Sequence, residues 1–212
     1  MHPAISVKLY SRAAPGSGVV QLIKRCLLRL LIARGARFVL IVALTSGVWG
    51  PQAQAQTSNE YQIKAAFLYN FAKFVEWPAE GFRDGNGSLI VGIVGEDPFG
   101  SAIDQTINGK TVNGRQLVIT RLKWGQNLRA CHILFISSSE HNRLGQILES
   151  LRGASVLTVG EAAQFSQQGG IIKFIMEENK LRFEINAEAA AGAGLKVSSK
   201  LLALAKTVRG RT

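Results

Sequence analysis

Asn108-Gly109-Lys110-Thr111 is spelled like the end of a phosphate-binding loop, in which backbone N–H groups and a lysine cradle phosphates. The full loop needs a glycine at position 104, where this chain has Asp104, and no strand leads into it. A glycine-bearing turn between a helix and a strand explains the four residues better. Gly92, Gly95 and Gly100 lack the spacing of a dinucleotide fingerprint. Cys131 and His132 are neighbours, so in a strand their side chains leave on opposite faces and cannot form a nucleophile–base couple. With them and His141 alone beyond residue 56, the imidazoles and thiols are too few and too dispersed for a metal centre. Ser137-Ser138-Ser139 lies at the end of an apolar run without the G-x-S-x-G frame of a nucleophile elbow, and Ser139 reads as a helix cap with Glu140 in the first turn. Glu177, Glu178, Glu184 and Glu188 form an acidic cluster whose members mostly alternate outward, with no acid, base or nucleophile beside them. No catalytic, cofactor or metal-binding residue is nominated, and the chain does not read as an enzyme.

The elements that carry these residues sit in a chain of 212 residues, 47% apolar and 18% charged, with a net charge of +11. Such a composition excludes a disordered chain. Residues 1–37 hold seven basic residues and no acid, which leaves 18 basic against 14 acidic residues, a net +4, for the rest. The basic character belongs to the N-terminal segment, and most of the case for nucleic-acid binding goes with it. That segment reads as an export signal. Arg34 and Arg37 precede the apolar core Phe38–Leu44, which runs weakly on to Trp49, and Ala53-Gln54-Ala55 is a small-x-small site cut before Gln56. The core is too short to span a bilayer comfortably. Residues 1–55 are thus an N-terminal extension with a cleavable signal peptide, and 56–212 one domain. Cys26 leaves with the signal, so Cys131 has no partner for an internal disulfide.

From Ser58, a fitting N-cap, to Trp77, before the helix-stopping Pro78, the pattern is helical. Tyr61, Ala65, Leu68, Ala72 and Val75 form one stripe, and Ile63, Phe67, Phe71 and Phe74 a second beside it. The joint apolar arc is wider than one core-facing stripe needs, and Lys64 interrupts it. Either both stripes are core, one on a sheet and one on a neighbouring helix, or part of the arc, within Phe67, Phe71, Phe74 and Trp77, meets a second chain. Strands are expected at Leu89–Val94, Arg115–Leu122, His132–Ile136 and Val156–Val159, and a hairpin at Ile171–Glu177 and Lys180–Asn186 around Glu178-Asn179. Helices fall at Asp97–Ile107 with Asp97 as cap, as one turn at Trp124–Arg129, from Ser139 to about Leu151, at Glu161–Gln167, and along Ala-rich Ala187–Val208, bent at Gly192 or Gly194. The fold class is α/β: a three-layer sandwich, a mostly parallel sheet with helices on both faces, and a C-terminal β-hairpin followed by a helix.

The stretch Lys64-Ala65-Ala66-Phe67-Leu68-Tyr69-Asn70-Phe71-Ala72-Lys73-Phe74-Val75-Glu76-Trp77-Pro78 resembles the YfiR/HmsC family of exported proteins. Phe183-Glu184-Ile185-Asn186 with Ala193–Ala205, Cys131–Ile136 and Leu157–Gly160 are also similar to family segments, so the resemblance covers about residues 58–207. It implies a non-catalytic periplasmic regulator that binds and represses an inner-membrane diguanylate cyclase through the cyclase's periplasmic region, lowering cyclic di-GMP and biofilm formation. It further implies a homodimer and an outer-membrane, peptidoglycan-associated partner that sequesters the regulator. Well-known members carry disulfides, from which the single Cys131 departs. A different reading of the residues is a periplasmic small-ligand sensor with a pocket at Gly95–Asp97, Ser137–Ser139 and Gly160–Glu161.

Overall fold

The computed structural model describes residues 52–82 and 87–210, with side chains from residue 59 onward. Residues 1–51 of the expected leader lie outside the described residues; its last four, Gln52-Ala53-Gln54-Ala55, form the first turn of the helix Gln52–Phe74. Among the described residues no helix is long and apolar enough to cross a membrane.

Helix α1 (Gln52–Phe74) leads into a two-residue strand β1 (Val75–Glu76), and β2 (Leu89–Val94) follows the loop after Pro78. Then come α2 (Ser101–Ile107), β3 (Thr111–Val112), β4 (Arg115–Leu122), β5 (Ile133–Ile136), α3 (Leu144–Ser150), β6 (Leu157–Gly160), β7 (Ile172–Glu177) and β8 (Lys180–Asn186). The chain closes with α4 (Ala187–Gly192), β9 (Lys196–Val197), α5 (Ser199–Leu204) and β10 (Thr207–Arg209). Eight strands form one sheet in the order β10-β8-β7-β6-β5-β2-β4-β3, in which only β7–β8 and β3–β4 pair antiparallel. The expected α/β architecture, mostly parallel with a C-terminal hairpin, is the one observed.

Register builds two cores from alternating residues. Val91, Ile133 and Leu157 stand side by side, as do Ile93, Phe135 and Val159, and all six face the cluster under α1 and α2. Val94, Leu134 and Ile136 face the other way, against Leu144 and Ile147 of α3 with Leu128, Cys131 and Phe165. Gly92 sits on that second face because a Cβ there would lie 2.4 Å from the Cys131 sulfur.

Several boundaries differ from expectation. Helix α1 begins at Gln52, so Ser58 lies inside it and is not its cap. It ends at Phe74, because Val75 and Glu76 pair with Val197 and Lys196, while the residue before Pro78 is held out of helical geometry. Asp97 accepts from the N–H groups of Phe99 and Gly100 in a turn, and α2 starts only at Ser101. Ser137, not Ser139, caps the Ser138–Arg143 3₁₀ segment that precedes α3. Residues Glu161–Gln167 make turns instead of a helix; the Phe165 ring fills the space where Gly160 and Gly170 have no Cβ. Only Leu128–Ala130 of Trp124–Arg129 coils, as a 3₁₀ turn, and the short strand β3 has no counterpart in the periodicity. The Ala187–Val208 helix is absent as such: it is split into α4, β9, α5 and β10.

Candidate functional site

Helix α1 lies with Phe67 and Phe71 over the β7–β8 hairpin. Phe71 is 0% exposed, its ring 5.8 Å from that of Phe174 and 5.3 Å from that of Phe183. Phe67 meets the same pair at 6.0 and 5.5 Å but keeps part of its surface in solvent. Phe74 is half-buried against the same core. Trp77 is also half-buried; its Nε1 donates to the carbonyl of His132 at 3.1 Å. Of these four residues, Phe71 belongs wholly to the core, and Phe67, Phe74 and Trp77 retain accessible area. The large apolar residue of α1 that stands out in solvent is Ile63, 42% exposed.

Lys64, the interruption in the arc, is buried at 2% exposure. Its ammonium pairs with Glu60 one turn earlier at 2.5 Å and with Glu161 just past β6. Tyr61 donates its hydroxyl to the same Glu161 carboxylate at 3.0 Å, and the Lys64 ammonium lies 4.2 Å from the Tyr61 ring centroid. Burial, then the negative charge of Glu161, push the Tyr61 phenol well above its ordinary range, so it stays a donor at any physiological pH. This cluster borders an open cleft of about 490 Å³ between α1 and the hairpin, floored by Phe174 and Leu181 and edged by Met176, which is 49% exposed. A lysine within an apolar arc was the available signal for it. Its partner Glu161, distant in sequence, could not be read.

The carboxyl ends of β2 and β5, the switch point of the sheet, are where open α/β folds seat ligands. Here Ser139, past β5, packs directly onto the end of β2. Ser139 Oγ accepts from the Glu96 N–H at 2.9 Å, and a Cβ on Gly95 would lie 2.5 Å from that oxygen. Arg121 holds Asp97 and Asp104 at 2.7 Å each and donates to the Gly100 carbonyl, tying down the adjoining loop.

The remaining residues with chemical capacity are engaged structurally. Cys131 and His132 diverge: the thiol is buried on the α3 side, which pushes its pKa up to about 12. The imidazole stacks on Phe82 with ring centroids 4.4 Å apart and accepts from the Ile90 N–H through Nδ1. The guanidinium of Arg115 lies 3.7 Å from the Phe82 centroid. Asn108–Lys110 turns the chain from α2 into β3, with Gly109 at φ 73° and the Lys110 ammonium over the Tyr69 ring. Glu177 binds Lys206 and Arg182, and the Lys206 hydrogen bond holds its carboxyl below the usual range. Among the described residues no group of three or more His, Cys, Asp or Glu is placed to hold a metal ion. Compared with known protein families, residues 61–206 match the model described as YfiR/HmsC-like.

Proposed function

From the premise that this chain belongs to the YfiR/HmsC-like family, we propose that it is a periplasmic regulator that binds the periplasmic region of an inner-membrane diguanylate cyclase and holds it inactive. The observation that carries this reading is the family match over nearly the whole described domain. A homodimer, release by an outer-membrane partner, and export with cleavage before Gln56 belong to the same proposal.

Within it, the accessible flanks of Phe67 and Phe74 on α1, and of Trp77 just past β1, are offered to a partner, and Phe71 is not. Aromatic anchors of this kind often cost over about 2 kcal/mol of binding when truncated. Deleting the gene should raise cyclic di-GMP and attachment only in cells that keep the partner cyclase. Ala at Phe67 or Trp77 should reproduce part of that rise while costing clearly less stability than Ala at the buried Phe71, with the variants still folded. Unchanged cyclic di-GMP after deletion, across several growth conditions, would overturn the regulatory role. Intact mass of the periplasmic fraction tests the processing, and a full-length membrane-bound species would overturn it.

A further inference from the structure

The two edges of the eight-stranded sheet are protected very differently. At one edge β10 is three residues long, flanked by Lys206 and carrying Arg209, and so offers little to pair with. At the other, β3 covers β4 only at Arg115 and Gln116, with one further bond from the Leu117 N–H to the Lys110 carbonyl. Among the described residues, Val118 to Leu122 then run on with β2 on one side alone. In a strand, successive residues direct their backbone groups to opposite sides. Leu117 bonds toward β3, and the Leu122 carbonyl accepts from Gly95 on the β2 side. The N–H and C=O of Ile119 and Arg121 therefore point outward, and among the described residues none bonds to them. The stretch Val118-Ile119-Thr120 is β-branched, free of proline and lysine, and Val118 is 40% exposed. No charge or proline guards the middle of this edge.

We propose that the free edge of β4 is a docking strand for an extended, acidic segment of the regulated partner, which adds to the sheet by backbone pairing. This rests on the regulatory reading for the partner's identity, not for the site. Charge selects the occupant. Arg115 and Lys123 bracket the open stretch; Arg115 lies over the Phe82 ring and donates to the Gly87 carbonyl but meets no carboxylate among the described residues, whereas the nearby carboxylates of Asp97 and Asp104 are taken by Arg121. A second copy of the chain is disfavoured: antiparallel self-pairing centred on Ile119 would need Lys123 of one copy opposite Arg115 of the other, where β3 already occupies that side through Val112, and it would bring like charges together.

The experiment uses the exported protein and overlapping 12-residue synthetic peptides covering the periplasmic regions of the inner-membrane diguanylate cyclases of the same cell. Binding is read by titration calorimetry and by amide exchange. A peptide with at least two Asp or Glu should bind, and at saturation the Ile119 and Arg121 amides should exchange at least about ten-fold more slowly. Ile119→Pro removes an N–H that the β2 ladder does not use, a position where edge strands admit proline, and it should weaken binding at least about ten-fold. Lys123→Glu should weaken it less, with the difference shrinking as salt is raised. If Ile119→Pro does not fold, the exchange of wild-type amides decides alone. Absence of any binding peptide, unslowed edge amides, or a folded Ile119→Pro that binds normally overturns the proposal. So does protection of these amides that depends on protein concentration without peptide, which would name a second copy as occupant. If deletion raises cyclic di-GMP while no peptide binds, the regulatory role stands and only this surface falls.

Discussion

Two segments of this chain carry nearly the same helical pattern and end differently. Gln52–Phe74 is one helix of 23 residues, whereas the Ala-rich run after Asn186 is divided among α4, β9, α5 and β10. Helix α1 is held in the core through its second half, where Ala65, Leu68, Phe71 and Ala72 are buried. The C-terminal run has small side chains and places only Ala190, Leu195 and Leu201 deep in the core. Its backbone is recruited instead. Gly194, at φ 71°, turns the chain after α4, Lys196–Val197 pairs with β1, Ser198 caps α5, and Thr207–Arg209 adds to β8. Propensity decides where nothing competes, and a few tenths of a kcal/mol per residue are easily outweighed by strand pairing and burial.

The largest test of that contrast is Phe71→Ala. Emptying a fully buried aromatic site should cost about 3–5 kcal/mol in urea unfolding, and Phe67→Ala roughly half as much, because part of its area is already wet. Equal losses would show that both rings serve the core alike and would remove Phe67 from any contact surface. Next is Glu161→Ala, which leaves Lys64 buried with one carboxylate. It should cost about 2–4 kcal/mol, while Lys64→Met, which removes the buried charge, should cost less. If the order is reversed, the ion cluster stabilises the helix outright.

Smaller effects are expected in the C-terminal run. Gly194→Ala forces a side chain into left-handed backbone, and Ser198→Ala removes a hydrogen bond to the Leu201 N–H, each for about 1 kcal/mol. Should Gly194→Ala instead lengthen α4, as far-UV circular dichroism would register, the break is weaker than the pairing argument says. The smallest effect is acid fraying of β10. Lys206 lowers the folded pKa of Glu177, so this contact is complete above the ordinary carboxylate range and is lost as pH falls through the lowered value. Amide exchange in Thr207–Arg209, corrected for its intrinsic pH dependence, should quicken on that descent, and Glu177→Gln should abolish the change.

What was legible beforehand followed from local physics. Leu89–Val94, Arg115–Leu122 and Lys180–Asn186 appear with the expected bounds, because continuous or alternating apolar runs are self-evident and turn residues delimit them. Glu178-Asn179, both at positive φ, make the expected tight hairpin turn. The α/β class and the family resemblance were likewise readable. Less visible were features made by residues far apart in sequence. Lys64 interrupts the arc in the sequence itself, yet Glu161, which neutralises it together with Glu60, arrives across the fold. Local spacing makes Ser139 a helix cap, but its hydroxyl accepts from Glu96 on the loop after the neighbouring strand, and Ser137 caps instead.

The sequence by itself determined the period of each buried run, the turns, and the wide apolar arc of α1, since these depend on side-chain type at fixed local spacing. The tertiary structure alone decided which part of that arc is core, where the Ala-rich run breaks, and which sheet edge stays open. Each of those outcomes depends on what lies opposite a residue, and burial and strand pairing join partners that chain order does not bring together.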